Sequence, residues 1–512
     1  MRLSELMEHV EILNILGSAS GEVSSVCYDS KKCGRRSLFI AIEGLKADGH
    51  DYIDEAISRG AEIIVHEKEY HPPLGITAIR VKNSRRTLGI LGKNFYGDPS
   101  SRLCLIGVLG TNGKTTITYL LESILTAAGF AVGLLGTVNY RFHGKIISAP
   151  NTTPESFEMQ KILREMLDEG ITHVAAEISS HAVDLKRIDD CAFDIGIFTN
   201  LSHDHLDYHH TMENYFQAKK RFFDEVLPNK GKELPHKMIM NADDPWGQRI
   251  ISEGKLKPLT YGVESRGDIT ADPFRIDLDG IEAAIHTQQQ GRFDISSSLI
   301  GKFNLYNILA AVGAAVALDI PQQFIKKGIE GLKSVPGRLE RVNDPGEPQV
   351  FVDYAHTDDA LWRVLQNLSY FKKGKIITVF GCGGDRDRLK RPLMGKAATT
   401  WSDLTILTSD NPRSEDPTEI IKEIETGIDR KTVKKISPEE LRKTGEGKVY
   451  SVLPDRMEAI SKAIAVADVL DIILVAGKGH EDYQIIGNKR ISFDDRLAAR
   501  DALTSRFRRK AS

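Results

Sequence analysis

The sequence predicts an α/β protein of three domains, built on mostly parallel sheets. Short apolar runs recur along the chain, several of them running straight into a polar loop. Stretches with a helical apolar period lie between many of these runs, and buried strands alternating with helices argue for parallel pairing. The 512 residues also exceed what one hydrophobic core serves. Borders near 100 and 340 give segments 1–100, 101–340 and 341–512.

In the first segment, Ser37-Leu38-Phe39-Ile40-Ala41-Ile42 and Glu62-Ile63-Ile64-Val65 read as strands, with a helical stretch at 54–59 between them. Asn94-Phe95-Tyr96-Gly97-Asp98-Pro99 punctuates its end. In the second, the apolar run 103–109 stops at Gly110. The helix 115–128 then sets Leu120, Leu121, Ile124 and Leu125 on one side and ends at Gly129. Further apolar runs lie at 173–176, 195–198 and 238–240. In the third segment, the run 350–352 leads to a helix at 358–368, and 376–380 leads to a Gly-rich turn. The run 404–407 leads to Asp410-Asn411-Pro412-Arg413, and 472–475 to Gly477-Lys478-Gly479-His480. Ligand loops of open α/β sheets lie at the carboxyl ends of strands, and these three loops have that place. The charged stretch 429–447 lacks a strong apolar period and reads as a surface excursion.

Composition narrows the function classes. Lys and Arg number 68 against 71 Asp and Glu, a net charge of −3, so no overall basic excess marks a nucleic-acid partner. No apolar run is long enough to span a bilayer, and the early acids Glu5 and Glu8 argue against a secretory signal. Five scattered cysteines form no CxxC pair and no disulfide framework. The expectation is a reducing, cytoplasmic compartment.

Gly110-Thr111-Asn112-Gly113-Lys114-Thr115-Thr116, between a strand and a helix, has the anatomy of a phosphate site. Backbone N–H groups and the helix N-terminus face the anion. Lys114 supplies a charge near the β and γ phosphates, and the Thr115 hydroxyl is placed for Mg²⁺. Val108 stands where the strict GxxxxGK[ST] spacing has its first glycine, which points to a subgroup of such loops. The plain alternative is a Gly-rich turn.

Glu177-Ile178-Ser179-Ser180-His181 follows another apolar run, where a carboxylate suits a metal or a metal-bound water. Residues 200–210 hold four of the fifteen histidines. They fit a zinc site that lacks HExxH and cysteine partners, or a solvated polar loop. Mg²⁺ prefers oxygen ligands. Periodicity makes 214–223 an amphipathic helix with Lys219 on its surface. Asn304 and Asn307 share one face of an Ala-rich helix, suited to the edge of adenine or to capping.

These motifs, with Asn151-Thr152-Thr153-Pro154, Pro336-Gly337-Arg338, Asp353-Tyr354-Ala355-His356 and Gly381-Cys382-Gly383-Gly384-Asp385-Arg386-Asp387, occur in a set order. In that order the chain resembles the Mur ligases of peptidoglycan synthesis, from Asp29-Ser30 to Glu481. The resemblance implies a central P-loop-type ATPase domain with a mostly parallel sheet. An N-terminal α/β domain for a UDP-linked substrate and a C-terminal Rossmann-like domain for an amino acid would flank it. It implies that ATP phosphorylates the side-chain carboxylate of D-glutamate in UDP-MurNAc-L-Ala-D-Glu, and that an amino acid then attacks the acyl phosphate. A cytoplasmic monomer without nucleic-acid or membrane partners is expected.

By position, the resemblance places Gly110, Thr111, Asn112, Gly113, Lys114, Thr115 and Thr116 on the ATP phosphates. Asn304, Asn307, Arg338, Asp353 and His356 match nucleotide contacts. Thr115, Glu177 and His205 match the magnesium group, and Lys219 matches a lysine carried as a carbamate, which overturns its surface reading. Lys114, Lys219, Glu177 and His205 form the implied catalytic set. Ser30, Asn151, Thr152, Thr153, Ser179 and Arg187 match contacts to the UDP-sugar dipeptide. Leu109 and Asp358 depart from the family pattern without removing a catalytic group, and Asp358 at a helix start suits the helix dipole.

The two amino acids common at this step, meso-diaminopimelate and L-lysine, differ by a distal carboxylate. Arg grips a carboxylate with two bonds. Asp410, Asn411, Pro412 and Arg413 match the diaminopimelate-adding pattern, as do Arg386, Gly477 and Glu481, the last suited to an ammonium. In isolation the tetrapeptide reads as a solvated turn, with Arg413 paired to Glu415 or Asp416. Other readings are a lysine-adding or other Mur ligase, a folylpolyglutamate synthetase, or a non-catalytic nucleotide-binding regulator. The presence of Lys114, Thr115, Glu177 and Lys219 speaks against the last.

Overall fold

Among the described residues three large sheets, one per domain, follow one another along the chain, and an antiparallel pair, Tyr483–Ile486 with Lys489–Ser492, follows the strands of the third. The computed structural model describes residues 1–44, 47–228, 232, 236–254, 256–443 and 447–511. The first sheet runs in the order Ile12–Leu16, Thr77–Val81, Ala61–His66, Ser37–Ile40, Ser25–Cys27. Only Ile12–Leu16, at its edge, pairs antiparallel. The closing helix Ser84–Tyr96 runs through Asn94 and ends at Gly97, which takes the left-handed conformation at φ 70°.

Eleven strands form the second sheet. Its centre is parallel: Ile195–Phe198, Cys104–Leu109, His173–Glu177 and Val132–Leu135 lie side by side. The apolar runs read at 103–109, 173–176 and 195–198 are three of these strands, and the run 238–240 lies in Lys237–Asn241 beside them; Val132–Leu135 has no counterpart in that reading. An antiparallel meander, Ile269–Asp277, Gly280–Thr287 and Gly291–Ser297, extends one edge. The helix Lys114–Ala127 buries Ile117, Leu120, Leu121 and Ile124 against the helices Lys302–Ala317 and Gln322–Gly331. Gly328 lets them approach, because a Cβ there would sit 2.3 Å from the Ile124 Cα. Truncating one of these buried leucines to Ala costs about 2–5 kcal/mol.

The third sheet is parallel except for Glu340–Arg341 at one edge. Its order continues Gln349–Asp353, Ile472–Ala476, Ile376–Phe380, Leu404–Leu407, Lys448–Val452, Val433–Lys435. The last strand corrects the reading of 429–447 as a surface excursion. Val433 and Leu441 are buried there, and Val433–Lys435 forms the sheet edge. Three residues with two exposed lysines carry too little apolar period to be seen in sequence. The closing helix Asp495–Ala511 is tied down by a fully buried ion pair. Arg456 Nε and Nη2 donate to the two Asp495 oxygens at 2.7 and 2.6 Å, and Nη2 also donates to the Ala476 carbonyl at 2.9 Å. Among the described residues no helix is long and apolar enough to cross a membrane.

Candidate active site

The loop after Cys104–Leu109 turns on two glycines, Gly110 at φ 144° and Gly113 at φ 92°. A Cβ on Gly113 would lie 2.3 Å from Asn307 Oδ1, so only glycine lets that carboxamide rest on the loop. Asn307 Nδ2 in turn donates to Asn304 Oδ1 at 2.9 Å, on the shared helix face. Lys114 Nζ folds back and donates to the Gly110 and Thr111 carbonyls, both at 2.8 Å.

Lys219 Nζ donates to that same Gly110 carbonyl at 3.0 Å. At 1% exposure it is no surface lysine, and the reading from periodicity is corrected. Its helix, Met212–Arg221, buries Tyr215, and a residue four positions on shares that inward face. Its Nζ lies 4.8 Å from the Tyr215 ring centre. The helix continues as a wider π turn, Phe222–Val226, a distortion common near functional sites. Burial, and next the neighbouring Lys114, hold the Lys219 ammonium well below the usual lysine range. Burial also lowers Lys114.

Residues 199–202 brace the phosphate loop. Asn112 N donates to Asn200 Oδ1 at 3.0 Å, Thr199 Oγ1 to the Asn112 carbonyl at 2.7 Å, and Ser202 N to Thr111 Oγ1 at 3.0 Å. His205 adopts φ 54° beside Asp204, at 3.4 Å, with the His181 ring perpendicular to it at 4.9 Å. Burial pushes His205 down to about 4. His209, buried with Nε2 2.9 Å from Ser180 Oγ, is likewise pushed to about 4 by burial. Among the described residues no three His, Cys, Asp or Glu side chains converge as a metal cluster, which gives the zinc reading no support.

The expected magnesium residues sit in separate bonds. Thr115 Oγ1 accepts from Arg338 Nη2 at 3.0 Å. Glu177, 1% exposed, accepts from Thr137 N and Thr137 Oγ1, both at 2.9 Å. Five of the six residues expected at the UDP-sugar dipeptide lie along one stretch. Thr153 Oγ1 donates to the Glu177 carbonyl at 2.8 Å and accepts from Ser179 N at 3.0 Å. Arg187 Nη1 donates to the Thr153 carbonyl at 3.3 Å, the Thr152 and Thr137 hydroxyls lie 3.1 Å apart, and Tyr140 donates to the Asn151 carbonyl. Ser30 stands apart in the first domain, its hydroxyl on Glu55 Oε2 at 2.7 Å. Glu155, paired to Arg85 of the first domain at 3.1 Å and to Arg187 of its own domain at 2.9 Å, joins the two domains.

Arg338 also links outward. Its guanidinium lies 4.6 Å from the Tyr354 ring centre, and that ring lies 4.9 Å from His480. A Cβ on Gly337 would meet His480 N at 2.1 Å. One continuous contact path therefore runs from Thr115 of the phosphate loop to the 477–481 loop of the third domain. Asp353 accepts from Leu339 N at 2.6 Å and Ala355 N at 2.7 Å, and burial raises its carboxyl. His356 Nδ1 lies 2.8 Å from the Tyr354 carbonyl, and its own carbonyl accepts from Lys390 at 2.7 Å.

The three polar loops of the third domain meet at the carboxyl ends of their strands. Gly384 N donates to the Asn411 carbonyl at 2.9 Å, and a Cβ on Gly384 would fall 1.9 Å from the Pro412 carbonyl. Arg413, at φ 53°, donates from Nη1 to the Gly384 carbonyl at 2.6 Å. It is not the solvated turn residue paired to Glu415 or Asp416, because Glu415 is held by the fully buried Arg391 at 2.8 Å. Arg386 is exposed, near Gly383 on the same loop. A Cβ on Gly477 would meet Asp410 Oδ2 at 3.3 Å, and Asn411 Nδ2 donates to Glu481 Oε2 at 2.9 Å. The residue sequence reasoning passed over is Lys478. It lies wholly buried among Asp410, Asn411 and Glu481; a lysine between two loop glycines gives no sign of that in sequence.

Known proteins match along most of this chain. Family models match as Mur ligase family, catalytic domain, at residues 22–96, as Mur ligase middle domain at 108–315, and as Mur ligase, glutamate ligase domain, at 337–479. A Geobacter sulfurreducens protein named UDP-N-acetylmuramoyl-L-alanyl-D-glutamate--2,6-diaminopimelate ligase is 44% identical over 505 residues, 99% of each chain. A protein of the same name from Geobacter metallireducens is 45% identical over 97% of each chain. A solved structure of a ligase with that name superposes with a TM-score of 0.69 at 31% identity, covering 99% of both chains.

Proposed function

The chain belongs to the Mur ligase family, and from that premise we propose that it joins meso-diaminopimelate to UDP-MurNAc-L-Ala-D-Glu. ATP drives the step, which belongs to peptidoglycan precursor synthesis. The observation that carries this reading is the contact path from Thr115 through Arg338 and Tyr354 to His480. It links the proposed phosphate loop to the proposed amino-acid loop, and a ligase of two substrates needs both within reach of one reaction centre.

In the first step a D-glutamate side-chain oxygen attacks the γ-phosphorus of ATP, and ADP leaves. Lys114 exchanges its carbonyl contacts for phosphate oxygens, and the loop N–H groups face the same charge. Arg187, Thr153 and Ser179 orient the dipeptide end. In the second step the amine attacks the acyl carbon, loses a proton, and the bond from carbon to the phosphate oxygen breaks. Arg413, with Arg386, receives the distal carboxylate, and Glu481 the distal ammonium. Closely placed domains keep water from the acyl phosphate.

The buried hydroxyl of Thr115 and carboxylate of Glu177 are oxygen donors that suit a hard cation; with His205 they would hold magnesium, which supplies charge neutralisation at the phosphates. Lys219 has the chemistry for a carbamate. A neutral amine is the species that adds to carbon dioxide, releasing one proton, and burial favours the neutral form here. The carbamate would turn a buried cation into an anion beside the loop. Native mass spectrometry in bicarbonate buffer is expected to find one added carbon dioxide, lost in Lys219→Met.

The deciding experiment measures phosphate release with UDP-MurNAc-L-Ala-D-Glu and either diaminopimelate or lysine. Release that needs both the UDP-linked dipeptide and diaminopimelate is expected. Equal release without the dipeptide would sink the reading.

A further inference from the structure

Lys478 has no exposed surface, and every hydrogen-bond partner it has lies in the two amino-acid loops. Nζ lies 3.0 Å from Glu481 Oε2, 3.2 Å from Asn411 Oδ1 and 3.5 Å from Asp410 Oδ1. The same Glu481 oxygen accepts from Asn411 Nδ2 at 2.9 Å, and Asn411 Oδ1 also accepts from Ile485 N at 2.9 Å. Glu481 and Asn411 are thus held in one orientation by a buried ammonium. Among the described residues Glu481 Oε1 has no protein partner, which leaves it for a ligand.

Charge counting shows what this does. Arg386, Arg413 and Lys478 are cations, and Asp410 and Glu481 are anions, so the five side chains together carry one positive charge, which suits a distal carboxylate. The distal end of diaminopimelate carries one ammonium and one carboxylate. The end of lysine is a lone ammonium. A pocket whose Glu481 is already half committed to Lys478 gains little from a lone cation and leaves Arg413 without its carboxylate. Without Lys478 the same positions lose one positive charge, and among the described residues Glu481 keeps only the Asn411 amide as a partner.

We propose that Lys478 is a positioning residue that holds Glu481 and Asn411 and sets the pocket charge, so that diaminopimelate is selected over lysine. The proposal rests on the assignment of the 410–413 and 477–481 loops to the amino acid. Lys478 touches the substrate only through Glu481 and Asn411, so it governs the KM for the amino acid and the choice between amino acids, more than turnover.

The test compares full-length wild type, Lys478→Met, Lys478→Arg and Asp410→Asn in kcat and KM for each substrate. Lysine is read as substrate or, where it is not turned over, as competitive inhibitor. In Lys478→Met the KM for diaminopimelate is expected to rise at least about tenfold, and its preference over lysine to fall at least about tenfold. The KM values for ATP and the UDP-linked dipeptide should stay within about twofold. Lys478→Arg, which keeps the charge, should retain most of the preference. Asp410→Asn shifts the charge the other way and should raise the preference. An unchanged preference in Lys478→Met, or equal losses for both amino acids, overturns the proposal. Should Lys478→Met fail to fold by circular dichroism, Asp410→Asn decides, and an unchanged preference there overturns it equally. A wild type that releases no phosphate with diaminopimelate is a different result and removes the underlying reading itself.

Discussion

The phosphate loop and the amino-acid loops both bury lysines, and they hold them in opposite ways. Around Gly110, Lys114 and Lys219 rest on backbone carbonyls, and both are pulled below the usual lysine range. In the third domain Lys478 is paired to Glu481, Arg456 to Asp495, and Arg391 to Glu415 and Glu423. Carbonyls are weak counter-charges, so on the proposed reading Lys114 is left to pair with anions that arrive with substrate and Lys219 to take up a carbamate. Carboxylate partners satisfy the second group in advance, and those cations fix loop shape. On the proposed reading, one region changes partners during turnover and the other stays as it is.

Lys114→Ala tests the first half of that contrast most severely. Phosphate release is expected to fall on the order of 10³-fold, with little loss in thermal unfolding temperature, since a half-satisfied cation contributes little to folding. A large drop in stability with activity retained would break the comparison. Arg456→Met is the counterpart. Leaving Asp495 buried and unpaired is expected to cost about 3–5 kcal/mol in denaturant unfolding, and the closing helix should loosen from Ile472–Ala476. Arg413→Ala sharpens the contrast, because its guanidinium leans on a carbonyl inside the otherwise paired region. The KM for diaminopimelate is expected to rise roughly a hundredfold while that for ATP holds; unchanged diaminopimelate kinetics would remove Arg413 from the pocket.

The smallest effect concerns His209. Its folded value, about 4, lies below the ordinary 6.5, so the unfolded chain binds the proton more readily between those values. Stability from this site is complete above pH 6.5 and is lost as pH falls through about 4. In His209→Gln the stability curve should fall less steeply across that window than in wild type. Parallel curves would mean that Ser180 and the neighbouring rings do not hold the imidazole neutral.

Much of this was legible in the sequence because burial on both faces leaves unbroken apolar runs. Ile195–Phe198, Ile376–Phe380 and Leu404–Leu407 begin and end where those runs do. The turn at 110–113 and the helix after it were legible for a similar reason, since glycines at positive φ and a lysine before a helix leave a local trace. Lys219 was misplaced by periodicity alone, because a helix face packed under a loop from elsewhere in the chain carries no local mark. Lys478 was passed over for the same reason: its partners lie sixty-seven, sixty-eight and three residues away. Val433–Lys435 was missed because two of its three side chains are solvated lysines.

The bond from Arg338 to Thr115 has a thermodynamic consequence. A ligand that takes the Thr115 hydroxyl must displace that guanidinium, which also lies on Tyr354 and so against the 477–481 loop. On the proposed assignment of these loops, nucleotide affinity and amino-acid affinity share one coupling free energy through this path, and linkage makes the effect reciprocal. Whatever factor bound nucleotide applies to the amino acid, the amino acid must return to the nucleotide.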